Sequence, residues 1–356
     1  MNNTNAQAFL NLPPQRKKFA YDQASGGQAG QSVIFEKDFW VSWLLALLFN
    51  QPELAPHLVF KGGTSLSKVF GVIDRFSEDI DLCLVPEFVG ASAQDFDALA
   101  SRTRRDAAVL DMQRLCGDKV QAVMQPLLEA QITQAIGAPS VDDKGVAAWL
   151  HFEVDMHARS PILYFRYPSL HTDGFAYIRR EVKLELGTLT DQQPTGQYPL
   201  QPMLATVFPQ VFSDWQCSVT ALELERTFWE KATILHAEFH RPASLPTPDR
   251  YARHFTDMAR LLEQPRAAEF LADTTQCARV VQWKSRVFAR SWARYDIALP
   301  GSFRLAPAPH RMVALANDYA TMRPMFMTEP PPFDAVVTVL RQAEAEFNGG
   351  DVKFVQ

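Results

Sequence analysis

Two aspartates, Asp79 and Asp81, are separated by one residue in a stretch with the alternating pattern of a β-strand. Successive side chains of a strand point to opposite faces, so both carboxylates lie on one face, about 6–7 Å apart along the chain. Two anions this close repel each other unless a cation lies between them or one is protonated. Mg²⁺ prefers hard oxygen ligands and completes its shell with water and phosphate oxygens. The pair therefore predicts either a divalent-metal site or an exposed polar strand face.

A glycine turn precedes this strand and opens a short helical segment. Its residues are Lys61, Gly62, Gly63, Thr64 and Ser65, and Lys68 follows about one turn later. Backbone N–H groups and hydroxyls at a helix start can bind phosphate, although the same hydroxyls can simply cap the helix. The two lysines could reach phosphate or could equally be solvated. The sequence contains no GxxxxGK[ST] motif, so the turn is not a Walker A loop.

Hydrophobic periodicity divides the chain into a mixed half and a helical half. Predicted strands cover residues 57–61, 79–85, 146–157, 162–167 and 177–186, and predicted helices cover 34–49, 91–136, 222–239, 248–262, 266–288, 310–322 and 333–347. This order predicts an α+β fold, with a small mixed sheet flanked by helices and then a helical C-terminal region.

Composition suggests where the domains divide. Residues 1–32, rich in Asn, Gln, Gly and Ala, predict a flexible N-terminal segment, and the proline-rich stretch 192–202 predicts a loop near a boundary. We therefore expect a core at 33–210 and a helical domain at 211–356 that completes a cleft with the core.

The overall composition excludes several classes of protein. A chain of 356 residues with 47% hydrophobic and 21% charged residues is typical of a globular protein with a full core. The net charge of −5 argues against strong non-specific nucleic-acid binding by the whole chain, but not against a local basic patch. Four scattered cysteines predict reduced thiols rather than disulfides or a zinc site. With no visible signal peptide or long apolar run, we expect a cytoplasmic protein without a membrane segment.

Several motifs together carry a family resemblance. They are EKDFWV at 36–41, FKGGTSLSK at 60–68, RFSEDIDL at 75–82, VKLE at 182–185, ERTFWEK at 225–231 and RHFTD at 253–257. In these motifs the chain resembles the AbiEii/AbiGii group of nucleotidyltransferases. That group lies in the DNA polymerase β-like superfamily and includes MenT-like toxins. The resemblance covers roughly two-thirds of the chain and implies a polymerase β-like mixed sheet.

The resemblance also implies the acidic and basic residues of an active site. It assigns Asp79 and Asp81 as ligands of Mg²⁺ or Mn²⁺, and Glu185 as a third ligand on a neighbouring strand. Glu181 shares that strand face as an alternative, and a surface pair between Lys183 and Glu185 is the structural alternative.

Two residues of the helical half complete the implied catalytic set. The resemblance gives functional roles to Lys231 and Asp257 on separate helices. The structural alternatives are a lysine that extends to solvent from an apolar helix face and an exposed Arg253–Asp257 pair. The implied nucleotide-binding residues are Lys61, Gly62, Gly63, Thr64, Ser65, Lys68 and Ser77.

The function implied by the resemblance is transfer of a nucleoside monophosphate from an NTP to an acceptor, with release of pyrophosphate. The expected acceptor is RNA, at the 3′ end of tRNA, and the expected role is that of a toxin in a toxin–antitoxin or phage abortive-infection system. A cognate antitoxin encoded nearby is the expected partner, and the oligomeric state stays open. The alternatives are a nucleotidyltransferase of small molecules, such as antibiotics, and a non-catalytic regulator that binds nucleotide.

Overall fold

A computed structural model of the chain describes residues 4–91, 96, 98, 99, 101–141, 145, 147–171 and 178–349. The chain divides into two compact units. The first takes the described residues of 1–69, 76–95 and 107–222, and the second takes those of 70–75, 96–106 and 223–356.

The first unit contains a mixed β-sheet. Its strands are β1 (Leu58–Lys61), β2 (Ile80–Leu84), β3 (Leu150–Val154), β4 (Pro161–Phe165), β5 (Val182–Gly187), β6 (Thr195–Pro199) and β7 (Ser218–Leu222). Their order is β3-β4-β5-β2-β1-β7-β6. The pairs β2–β5 and β1–β7 are parallel, and the other neighbouring pairs are antiparallel.

Helices flank this sheet and make up most of the second unit. The α-helices are α1 (Thr4–Leu10), α2 (Pro14–Ala24), α3 (Ala29–Phe49), α4 (Gly62–Lys68), α5 (Arg102–Lys119), α6 (Gln125–Ile136), α7 (Leu204–Val207), α8 (Leu224–Phe239), α9 (Ala252–Leu262), α10 (Ala267–Ala272), α11 (Thr274–Val287), α12 (Met312–Thr321) and α13 (Phe333–Phe347). Short 3₁₀ helices lie at Ala55–His57, Pro86–Val89, Tyr295–Ile297, Pro309–Arg311 and Arg323–Met325, and one π-helical turn lies at Val120–Met124. The predicted fold class, a mixed sheet with helices followed by a helical region, is confirmed.

Helix α3 forms the centre of the first unit. All of its residues from 32 to 49 are buried. Trp40 and Trp43 pack on Phe165 of β4, with ring centroids 5.8 and 5.9 Å apart. Aromatic rings of this size bury the largest apolar areas in a core. Helix α3 is therefore held rigidly against the sheet.

The first 32 residues differ from the predicted flexible segment. Helices α1 and α2 occupy most of this stretch, and α3 begins at Ala29 within the glycine-rich part. Phe9 of α1 is buried and lies 5.1 Å from Phe39 and 5.3 Å from Phe212, centroid to centroid. Burial of this aromatic cluster stabilises short helices that local propensity alone would leave marginal.

The proline-rich stretch 192–202 also differs from the prediction of a loop. It contains β6, which pairs with β7 at the edge of the sheet. Pro199 is the last residue of that strand, where proline costs the ladder little because an edge strand is bonded on one side only. The strand β7 was not predicted, and the helix predicted from residue 222 begins at its last residue.

No helix within the described ranges is long and apolar enough to cross a membrane.

Candidate active site

Three charged residues form a row across adjacent strands of the first unit. Lys61 at the end of β1 lies opposite Asp81 of β2, and Asp81 lies opposite Glu185 of β5. Residues directly opposite each other in a sheet project from the same face. The sheet therefore places Asp81 between a lysine and a glutamate on one surface.

The side chain of Asp81 lies against the glycine turn. Gly62 has φ +82°, a left-handed conformation that favours glycine. A Cβ atom at Gly62 would lie 2.0 Å from Asp81 Oδ2. Only glycine allows this close approach, so the turn and the carboxylate form one site.

Thr64 links the turn to Asp79, the residue before β2. The Thr64 hydroxyl lies 2.9 Å from the Ser77 hydroxyl and donates to the backbone carbonyl of Asp79. Thr64 itself is fully buried. The structure thus places Thr64 and Ser77 where they fix the backbone that carries Asp79.

The Ser65 hydroxyl is a second notable group of the turn. It is fully buried, and it has no hydrogen-bond partner among the residues that the structure describes. A buried hydroxyl without a partner is unfavourable by about 1–3 kcal/mol, so such a group calls for an explanation. Its oxygen is closed to solvent in this arrangement, so a ligand at the turn could reach it only after a local rearrangement.

Glu185 is engaged by a neighbouring lysine. Lys183, two residues earlier on β5, forms an ion pair with Glu185 Oε1. Burial would lower the pKa of Lys183, but the hydrogen bond to Glu185 and the nearby Asp79 raise it above its ordinary value. Glu181, the alternative to Glu185 as third ligand, lies outside β5. Its carboxylate is 3.8 Å from the guanidinium of Arg179.

The predicted centre of three carboxylates is not present as a group in this structure. Within the described parts of the chain, no three His, Cys, Asp or Glu side chains are grouped so that they could hold a metal ion. Magnesium often binds through one or two carboxylates plus substrate phosphates and water, so the donor types of Asp79 and Asp81 suit this ion. The close approach of Asp81 to the backbone of the turn supports that fit.

Lys68 lies in a buried ion pair. Its ammonium contacts Asp38 Oδ1 of α3 at 2.5 Å, and its side chain is 6% exposed. Asp38 also accepts a hydrogen bond from the backbone N–H of Met203. Lys68 therefore links α4 to α3. Lys61, by contrast, lies on the sheet face that carries Asp81 and Glu185, which we call the carboxylate face.

Lys231 and Asp257 come together in the second unit. Lys231 Nζ on α8 donates to Asp257 Oδ2 on α9 at 2.7 Å. Arg75 makes a two-pronged contact with the same carboxylate, with both N···O distances at 2.8 Å. All three residues are buried. Asp257 pairs with Arg75 and Lys231, which differs from the exposed Arg253–Asp257 pair considered as an alternative.

The two cations determine the charge of Asp257. Burial alone would raise the pKa of this carboxyl, but Arg75 and Lys231 together hold it well below its ordinary value. Burial lowers the pKa of Lys231, an effect that Asp257 opposes and Arg75 reinforces. Asp257 is consequently an anion over the whole range in which proteins normally function.

A small cavity lies beside this cluster. It has a volume of about 60 Å³ and is lined by Arg75, Asp257, Tyr319, Phe326 and Val336, among others. Sites for small molecules and cofactors usually have volumes of about 300–1,000 Å³. This cavity is therefore too small to hold a nucleotide.

Sequence reasoning missed three contributors to these sites. Lys183 was considered only as part of a surface pair, although its period-two spacing from Glu185 places it on the carboxylate face. Arg75 was quoted within a motif without a role, and Lys37 was not considered as a partner of Glu78, from which its Nζ lies 2.5 Å. The contacts of Arg75 with Asp257 and of Lys37 with Glu78 join residues that are distant in the chain, so they leave no local pattern.

Two of three comparisons with known proteins give a match. A family model described as "Nucleotidyl transferase AbiEii toxin, Type IV TA system" matches residues 43–339. Among solved structures, the chain is similar to MenT4, a nucleotidyltransferase toxin from Mycobacterium tuberculosis H37Rv, with 17% identity, a TM-score of 0.49, and coverage of 94% of this chain and 90% of that chain. A search of curated proteins found no match. Because the family model spans most of the sequence, the chain belongs to the AbiEii family of nucleotidyltransferase toxins.

Proposed function

We propose that this nucleotidyltransferase moves a nucleoside monophosphate from an NTP to the 3′ end of an RNA, with tRNA as the expected acceptor. The observation that carries the proposal is the packing of Asp81 against Gly62, which joins an acidic strand to the glycine turn. The acceptor rests on the resemblance to MenT-like toxins.

Three kinds of group near Asp81 are suited to hold the triphosphate. The turn supplies backbone N–H groups. Lys61 lies level with Asp81 at the end of β1. Lys183 adds a second cation near Asp79. Together they orient the α-phosphorus for in-line attack, where positioning and charge stabilisation provide most of the catalysis.

Asp79 and Asp81 are the residues that would hold Mg²⁺ or Mn²⁺. A bound ion there would supply charge neutralisation for the phosphate and would lower the pKa of the attacking hydroxyl. Glu185 would join as a ligand only after it releases Lys183, which could then contact phosphate. The catalytic roles predicted for Lys231 and Asp257 remain part of the proposal, and their support is the resemblance of the surrounding motifs to the family.

The biological role that we propose is a toxin whose activity is controlled by a cognate antitoxin. The support is the family description, which names a type IV toxin–antitoxin system. Expression of the wild-type chain should arrest growth, and Asp81→Asn should abolish the arrest. A reading frame next to the gene whose product relieves the arrest would identify the antitoxin.

The biochemical test uses each of the four NTPs labelled at the α-phosphate, with total RNA and Mg²⁺. Wild-type protein should transfer label to RNA in the size range of tRNA, and Asp81→Asn should not. Label in a low-mass product instead of RNA would contradict the RNA acceptor. Absence of any labelled product with all four NTPs would contradict the nucleotidyl transfer itself.

A further inference from the structure

The segment Glu36-Lys37-Asp38 places three consecutive charged residues inside the protein. All three are buried within α3, with exposed fractions of 0%, 1% and 2%. Consecutive residues of a helix point about 100° apart, so the three side chains leave α3 in different directions. Each meets a different part of the first unit, and the contacts of Lys37 lie closest along the chain to the acidic strand.

Lys37 connects the segments that precede β2 and β5. Its ammonium donates to Glu78 Oε2 at 2.5 Å and to the backbone carbonyl of Arg179 at 2.9 Å. Glu78 is the residue immediately before Asp79, and Arg179 lies three residues before β5 begins. A single ammonium group therefore joins the starts of the two strands that carry Asp81 and Glu185.

Stability alone gives little reason for such a pair. The side chains of Lys37 and Glu78 are only 2% and 6% exposed. A buried ion pair must recover a large desolvation cost, and replacement by apolar residues of similar size is often neutral or stabilising. A need to fix the backbone just before Asp79 would explain why the charges of Lys37 and Glu78 are retained.

We propose that Lys37 is a positioning residue that holds the backbone before Asp79 in register with β5, so that the aspartate pair is preorganised for a divalent cation. The proposal rests on the proposed function, since it assigns Lys37 a purpose in that site. Lys37 acts through Glu78 and the Arg179 carbonyl and does not itself touch metal or substrate. It also neutralises Glu78, which leaves Asp79 and Asp81 as the acids of this run that receive the cation.

The test compares wild type with the paired replacement Lys37→Met/Glu78→Met, which removes both charges of the ion pair together and also removes the donor to the Arg179 carbonyl. Mn²⁺ affinity of the protein without nucleotide is measured by electron paramagnetic resonance, together with melting temperature and nucleotidyl transfer. Partners that orient metal ligands typically change metal affinity by about 10–100-fold. We expect Mn²⁺ binding at least about tenfold weaker at a nearly unchanged melting temperature, with Lys37→Arg recovering most of the affinity. Asp81→Asn serves as the reference for a lost site.

Three outcomes separate this inference from the proposed function. Wild-type Mn²⁺ affinity and transfer rate in the paired variant would overturn the role of Lys37 and leave the proposed function intact. Wild-type protein that neither binds Mn²⁺ nor transfers label would overturn both. If the paired variant does not fold, Glu78→Gln is tested in the same assay. This variant keeps a hydrogen-bond acceptor for Lys37 but removes the negative charge. Unchanged Mn²⁺ affinity of Glu78→Gln would also overturn the proposal.

Discussion

Gly62 and Asp81 are packed so closely that the residue at position 62 cannot carry a side chain. A Cβ atom there would lie 2.0 Å from Asp81 Oδ2 and 2.7 Å from Asp81 Cγ. This contact makes the glycine turn and the acidic strand parts of a single site.

Replacement of Gly62 by alanine should therefore displace the Asp81 carboxylate. We expect Gly62→Ala to reduce nucleotidyl transfer by at least about 10²-fold, a loss of the size seen when one charge-stabilising group is removed. The matched control is Gly71→Ala, because Gly71 also has a positive φ, +62°, but has no atom within 4 Å of a Cβ built there. Both variants share a backbone cost of about 1 kcal/mol. Equal activity in the two variants would contradict the contact argument.

Loss of charge at Asp81 should remove activity without unfolding the protein. Asp81→Asn keeps the shape of the side chain next to Gly62 and removes one carboxylate of the proposed metal site. We expect no detectable transfer to RNA and a melting temperature close to that of wild type, since the change removes both the repulsion from Asp79 and the attraction to Lys61. Transfer at the wild-type rate would contradict the assignment of the metal site.

Asp257 should be far more important for stability than an exposed aspartate. Asp257→Asn leaves two buried cations, Arg75 and Lys231, without their anion. Breaking a buried pair in this way costs about 3–5 kcal/mol of unfolding free energy. The control is Asp118→Asn, whose pair with Arg114 has side chains that are 65% and 60% exposed, and an exposed pair is worth less than about 1 kcal/mol. Chemical denaturation measures both, and equal losses would contradict the buried network.

Glu230 should contribute stability that depends on pH. Its carboxylate accepts from Lys284 and Arg226, each at 2.7 Å. Burial opposes the charge, but the two cations lower the pKa of Glu230 from 4.5 to about 2. A lowered carboxyl pKa stabilises the folded state fully above pH 4.5, and this contribution is lost as the pH falls towards 2. The stability difference between wild type and Glu230→Gln should therefore shrink over that interval. A difference that does not vary with pH would contradict this pairing.

Local patterns in the sequence were enough to predict the acidic strand and the glycine turn. Period-two alternation placed Asp81 and Glu185 on exposed faces of strands, and the observed register puts the two residues opposite each other. These features depend on neighbours in the chain, so a single sequence contains enough information to predict them.

Features that depend on distant contacts were not predictable in the same way. The short helix α1 is stabilised by Phe212, more than 200 residues away in the sequence. The strand β6 forms in a proline-rich stretch because β7 pairs with it. No local feature distinguishes Lys37 from a surface lysine, so its burial becomes evident only from its partners, Glu78 and the Arg179 carbonyl. In each case tertiary contacts override the local preference.

The most direct test of the account is the position of a metal ion in crystals grown with MnCl₂ and a non-hydrolysable NTP analogue. Anomalous scattering locates Mn²⁺ independently of any assumption about the site. The account predicts one Mn²⁺ coordinated by carboxylate oxygens of Asp79 and Asp81, with the triphosphate along residues 61–65. A bound analogue whose Mn²⁺ and phosphates lie away from both aspartates would contradict it.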